Sequence, residues 1–190
     1  MSEDRYAFAE ELTAFYDHAW QTINRGLADR KAASRFLTLS TIDEQGVPRS
    51  RMVVIRDTDK ADGSLLIYTD ARAGKISEIA AVPSVAALIW EPRWSLQIRF
   101  IGEASVVLGD ELDALRSKLS ERALRDYTTE LPPATMIDDP KLVESQADRV
   151  HFSAIRLRLK SIELLCLAPQ GHRRARYERD DNWLGQWLVP

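Results

Sequence analysis

The apolar positions of the chain change period several times, and the changes mark out its elements. Over residues 5 to 27, Phe8, Leu12, Phe15, Tyr16, Ala19, Trp20, Ile23 and Leu27 recur at steps of three and four, with Glu10, Glu11, Asp17 and Gln21 on other faces. That is the period of an amphipathic helix. FLTLSTI at 36 to 42 is β-branched and apolar, DEQG at 43 to 46 is a turn ending in Gly, and RSRMVVIRD follows at 49 to 57. The pattern predicts a hairpin with a four-residue loop. A second polar turn, TDKADG at 58 to 63, leads into SLLIYTD at 64 to 70. Strands joined by short turns predict an antiparallel meander. Ile76, Ile79 and Ala80 then share a face before Pro83, which predicts a short helix over 74 to 81.

VAALIW (85 to 90) reads as a strand and Glu91-Pro92-Arg93 as a turn. From 95 to 107 Leu96, Ile98 and Phe100 alternate with Gln97, Arg99 and Ile101, so the two sets face opposite sides of a strand. Residues 110 to 126 predict a second long helix, with Asp110 as N-cap and Leu112, Leu115, Leu119 and Ala123 as its stripe. Pro132, Pro133 and Pro140 make 128 to 149 mostly loop. HFSAIRLRL, SIELLCLA and RRARYERD predict three more strands before the closing NWLGQWLVP. Five or six central strands with helices around them predict a small closed β-barrel in an α+β domain. The barrel core would come from 36–107 and 150–190.

Composition narrows the chemistry. A chain of 190 residues, 45% hydrophobic and 29% charged, fits one domain over 1–190. A formal net charge of −3 gives no general attraction to nucleic acid or an anionic membrane. The single Cys166 excludes an internal disulfide and a cysteine metal cluster. No apolar run approaches the ~20 residues that span a bilayer. The acidic start, MSEDRYAFAEE, lacks the basic and then apolar regions of a signal peptide, so the expectation is a cytoplasmic protein. His18, His151 and His172 are isolated, and no metal, nucleophile-elbow, P-loop or GxGxxG spacing occurs. His18 reads as a packed or surface residue, Cys166 as a small buried hydrophobe, and Asp138-Asp139 as solvated loop. No metal site is expected.

What remains is a set of cations at strand ends. Arg51 alternates with Val53 and Ile55, Tyr68-Thr69 ends a strand, and Arg72 and Lys75 flank a helix start. A helix N-terminus offers free amides and partial positive charge. A phosphate there would accept charge-assisted hydrogen bonds from Arg51, Thr69, Arg72 and Lys75. The same spacing also fits ordinary exposed cations. Gln97 could read the polar edge of a heterocycle.

Four segments in order resemble the pyridoxamine 5′-phosphate oxidase family, the FMN-binding split β-barrels. TIDEQGVPRSRMVVIR resembles that family's T-x-D-x-x-G-x-P-x-x-R-x-[MV] signature, through Asp43, Gly46, Pro48, Arg51 and Met52. YTDARAGK matches a YT-x5-K segment through Tyr68, Thr69 and Lys75. LQIRFIGEA is similar to RQVRxxG through Gln97 and Gly102, and WLGQWLVP resembles the closing W-x4-L-x-P. The resemblance implies an antiparallel split barrel with flanking helices, in homodimers that hold two FMN molecules in interface clefts. Carried over, Arg51, Met52, Val53, Val54, Ile55 and Arg56 would run beside the flavin, with Arg51 on its phosphate. Tyr68 and Thr69 would follow along the cofactor, Lys75 would meet the phosphate with Arg72 in support, and Gln97 would bond the isoalloxazine ring. Arg176 would approach from the partner subunit.

The departures concern the substrate. Arg56 stands where the oxidases have a lysine, and Gly74-Lys75 where they have Arg-Lys. ERALRDYTTELPP lacks the tyrosine, arginine and serine that grip pyridoxal phosphate. QGHRRARY lacks the full R-x-H motif, and Leu164-Leu165 replace an expected tryptophan. The expectation is therefore an FMN-dependent oxidoreductase with an unidentified small-molecule substrate, and these departures speak against vitamin B6 as that substrate. Trp90, Trp94, Trp183 and Trp187 either shape the substrate face or pack in the core or dimer contact. A non-catalytic FMN-binding or redox-sensing module is the alternative, with deazaflavin F420 or haem binding a third reading.

Overall fold

The computed structural model describes residues 5–146 and 148–190; the first four residues of the acidic start and Ala147 lie outside the described residues. Among the described residues eight antiparallel strands form one sheet: β1 (Phe36–Ile42), β2 (Pro48–Asp59), β3 (Ser64–Asp70), β4 (Ser84–Glu91), β5 (Leu96–Val106), β6 (Phe152–Cys166), β7 (Arg173–Glu178) and β8 (Gln186–Leu188). The order is β3-β2-β1-β4-β5-β6-β7-β8, and a further β3–β6 pairing closes the first six strands into a barrel. The fold is the expected α+β split barrel. Closure depends on β6, whose first half pairs with β3 while its second half carries β7.

Alternation puts one face of each strand inside. Leu37 and Leu39, Ile55, Leu65 and Ile67, Ile89, Leu96, Ile98 and Phe100, and Leu157 and Ile162 fill a single core. Helix α1 (Leu12–Ala28) adds Phe15, Ala19, Trp20 and Ile23 to it. Helix α2 (Gly74–Ala81) packs its Ile79 against the same core. A satellite cluster outside the barrel gathers Leu66, Tyr127, Phe152 and Ala154, with Tyr68, Leu112, Leu115 and Leu119 against them.

Several boundaries differ from the sequence expectation. The helix expected over 5–27 starts only at Leu12; Ala7–Ala9 form a separate 3-10 turn, and Glu11 is extended between them. The break lets Phe8 fold back and stack on His18, with ring centroids 3.6 Å apart. Helical spacing persists across the reversal because Phe8 still faces the core. The helix expected over 110–126 is two, α3 (Gly109–Ser117) and α4 (Glu121–Leu124), followed by a 3-10 turn over Arg125–Tyr127. Ser120 interrupts it, its hydroxyl oxygen accepting from Ala123 N at 3.3 Å as an N-cap. Asp110 lies in the first turn of α3 and is not the cap.

The hairpin loop after β1 spans 43–47, one residue longer than expected. Asp43 fastens it by accepting from the amides of Gln45 and Val47 and from Arg49 Nε. The two strands expected at 151–159 and 161–168 are one strand of fifteen residues, because 159–161 forms a bulge against β5 instead of a turn. At that bulge Gly102 lies so close to β6 that a Cβ would come within 2.3 Å of the Arg158 carbonyl oxygen. Glycine is required there by space.

Candidate functional site

Arg51 and Lys75, two of the cations singled out in the sequence, converge at one end of the barrel, beside α2. Arg51 shares the inward face of β2 with Val53 and Ile55, but lies beyond the core. Its Nη2 donates to Glu78 Oε2 at 2.7 Å, and its Nη1 to the Arg49 carbonyl at 3.2 Å and to Thr41 Oγ1. Thr41 in turn donates to Glu78. Burial raises the Glu78 carboxyl, but the hydrogen bonds from Thr41 and Arg51 outweigh it and hold the group below the usual glutamate value. One turn earlier on α2, Lys75 Nζ donates to Thr69 Oγ1 at 2.8 Å. Burial first, and then the nearby Arg51, lower the Lys75 ammonium's pKa. No side chain caps the first amides of α2. Free helix amides, a half-buried ammonium and a held guanidinium thus lie together.

Arg72 is occupied elsewhere. It grips Asp70 through Nε at 3.0 Å and Nη2 at 2.8 Å, and reaches the carbonyls of Thr129 and Glu130, each at 2.9 Å. It pins the 128–130 segment to the barrel end.

The outward faces of the strands make a second surface. In one row, cross-strand neighbours run Met52, Thr38, Leu88, Arg99, Glu163, Arg176 and Gln186. In the row beside it run Trp90, Gln97, Leu165, Arg174 and Leu188. Met52 is 68% exposed, Trp90 46% and Ile101 44%. Met52, Val54, Gln97 and Arg176 therefore share this surface, whereas Ile55 turns wholly into the core and can meet a ligand only through its backbone. Arg56 sits at a bulge, its guanidinium 5.6 Å from the Tyr68 ring centroid.

Glu163 is a residue that the sequence reading missed. It faces outward between the buried Ile162 and Leu164, yet is only 8% exposed. Arg99 at 3.0 Å and Arg174 at 2.7 Å share one of its oxygens, and Arg176 takes the other at 3.3 Å. Burial opposes the charge, and the arginines more than restore it, leaving the carboxyl below its usual range. Its cross-strand neighbours Arg99 and Arg176 were the available signal, legible only once the register is known. The Cys166 thiol is buried and pushed up to about 11, which suits packing.

The model of the pyridoxamine 5′-phosphate oxidase FMN-binding domain matches residues 17–108. The pyridoxine/pyridoxamine 5′-phosphate oxidase of Chromohalobacter salexigens is 31% identical over 170 residues, covering 81% of this chain and 78% of that protein. This chain belongs to the pyridoxamine 5′-phosphate oxidase family. The family's fold is also that of two solved structures. A pyridoxamine 5′-phosphate oxidase-related, FMN-binding protein from Nostoc punctiforme superposes with a TM-score of 0.73 at 21% identity, over all of both chains. PhzG from Burkholderia lata, solved with tetrahydrophenazine-1-carboxylic acid, gives 0.74 at 19% identity, over all of this chain and 99% of that one. Among the described residues no helix is long and apolar enough to cross a membrane.

Proposed function

We propose that this protein binds FMN at the interface of a homodimer and uses it for oxidation–reduction of a small molecule. The observation that carries the reading is the cluster of Arg51, Lys75 and Thr69 at the uncapped start of α2. It concentrates donors where a phosphate monoester would need them, in a chain whose net charge is negative. Lys75 is half-buried with one hydroxyl as partner, so an arriving phosphate restores the charge balance that burial removed.

Each residue has a task in this reading. Arg51, held by Glu78 and Thr41, presents its remaining N–H groups to the phosphate, and Lys75 supplies a second cation. Met52 and Val54 offer apolar surface to the ring system, and Gln97 offers both donor and acceptor to its polar edge. Bound FMN supplies hydride chemistry, which fits a site with no evident acid–base pair. Arg72 is committed to Asp70 and the 128–130 segment and is left out of the phosphate set. The uncovered outward sheet face is the surface a second copy would pair with, and that pairing would bring Arg176 to the partner's flavin. Soluble cytoplasmic residence goes with this reading.

The test is to titrate the purified protein with FMN and measure its mass by light scattering. Stoichiometric quenching of flavin fluorescence in a dimer is expected. A monomer that leaves FMN fluorescence unchanged would overturn the proposal.

A further inference from the structure

Lys75 differs from the other lysines of the chain. Lys31, Lys60, Lys118, Lys141 and Lys160 are exposed, and Lys60 and Lys160 each pair with a carboxylate at 2.6 Å. Lys75 is half-buried, and among the described residues it makes no ion pair with a carboxylate. The acids near it are committed elsewhere, Glu78 to Arg51 and Thr41, and Asp70 to Arg72. Its partner is neutral, the Thr69 hydroxyl oxygen at 2.8 Å. Thr69 is buried and directs its own proton to the Asp70 carbonyl at 3.4 Å, so it meets Nζ with a lone pair.

This arrangement suits a neutral amine as well as an ammonium. Either form donates one N–H to Thr69, and the neutral form then carries its lone pair away from that contact. Burial and the adjacent Arg51 both disfavour the charged form, which raises the share of free amine at neutral pH. A lysine desolvated beside a second cation is nucleophilic for this reason. The same Arg51, with the uncapped amides of α2, attracts a phosphate group beside that nitrogen. A reagent that carries a phosphate and an electrophilic carbon on neighbouring atoms is therefore placed to react.

We propose that Lys75 is a site of direct, enzyme-independent acylation by small acyl phosphates. The Lys75 amine attacks the carbonyl carbon, a C–N bond forms, and the bond from that carbon to the bridging oxygen breaks. Inorganic phosphate leaves and takes up the proton that the nitrogen releases; nothing is oxidised or reduced. Arg51 and the helix amides stabilise the charge that grows on the departing phosphate. The product is a neutral amide, so one of the two cations assigned to the FMN phosphate is removed. Acylation and FMN binding thereby exclude each other. That regulatory consequence rests on the flavin reading; the acylation itself does not.

The experiment incubates the full-length protein, flavin-free or saturated with FMN, with acetyl phosphate, and follows each lysine by peptide mass spectrometry. In the flavin-free protein Lys75 should be acetylated at least roughly tenfold faster than the exposed lysines. Excess inorganic phosphate and FMN should each bring its rate down to theirs. With acetic anhydride, an acetyl donor that carries no phosphate, inorganic phosphate should leave the relative rate at Lys75 unchanged. Protein acetylated at Lys75 should bind FMN roughly tenfold or more weakly, with its riboflavin affinity unaltered. A Lys75 rate no higher than that of the exposed lysines, or one that inorganic phosphate fails to lower, would overturn the inference. Undiminished FMN binding by the acetylated protein would overturn the mutual exclusion. Phosphate-sensitive acetylation of Lys75 in a protein that ignores FMN would overturn the flavin reading alone.

Discussion

Arg51 on β2 and Glu78 on α2 form a 2.7 Å ion pair across the end of the barrel, with both side chains largely shielded from solvent. The pair fixes the guanidinium before any ligand arrives, and Thr41 is hydrogen-bonded to both partners. Preorganisation of this kind reduces the ordering cost of binding.

Glu78, Glu163 and Asp70 all have carboxyls held below their usual values in the folded state. Their contribution to stability is full above the ordinary glutamate value of 4.5 and is lost as pH falls through the lower folded values. Urea midpoints measured between pH 7 and 3 should stay level and then drop in the acid range. Glu78→Gln should flatten that drop; a variant with the wild-type acid profile would show that this ion pair is not linked to stability.

Arg72 acts in the structure as a clamp. Arg72→Ala should expose the 128–146 segment to limited proteolysis several-fold faster, while FMN affinity changes by less than about threefold. A large loss of FMN affinity with unchanged proteolysis would return Arg72 to the phosphate set.

The outward sheet face should be a dimer contact. Ile101→Asp, placing a charge at an exposed apolar site, should shift the protein toward monomer in light scattering and weaken FMN binding in parallel. A dimer of wild-type affinity would remove this face from the interface.

Gly102→Ala would set a methyl against the β6 backbone at the bulge. A loss of about 1–3 kcal/mol in unfolding free energy is expected from such overpacking. A neutral effect in denaturant titration would mean that the bulge can relax.

Much of this fold was legible because the barrel strands alternate cleanly: β1, β3 and α2 begin and end where the pattern places them. Long-range geometry was not legible. Helical period cannot register the reversal at Glu11, nor the break at Ser120 where spacing is kept across a cap. Whether Lys160-Ser161 turns or bulges depends on the partner strand. At the site, Arg51, Thr69 and Lys75 were readable from their positions beside a helix start. Glu163 was not, since it gains its surroundings from residues distant in sequence. Arg72 looked free because the carbonyls it clamps, those of Thr129 and Glu130, are fifty-odd residues away, and its grip on Asp70 two residues before it shows only in the fold.

The central claim, a phosphate held by Arg51 and Lys75, is tested most directly by comparing FMN with riboflavin, which lacks only the phosphate. Two charge-assisted contacts should make FMN bind roughly 100-fold more tightly or better. Arg51→Ala/Lys75→Ala should abolish that preference while leaving the weaker riboflavin affinity in place. Equal affinity of the wild-type protein for the two flavins would contradict the account.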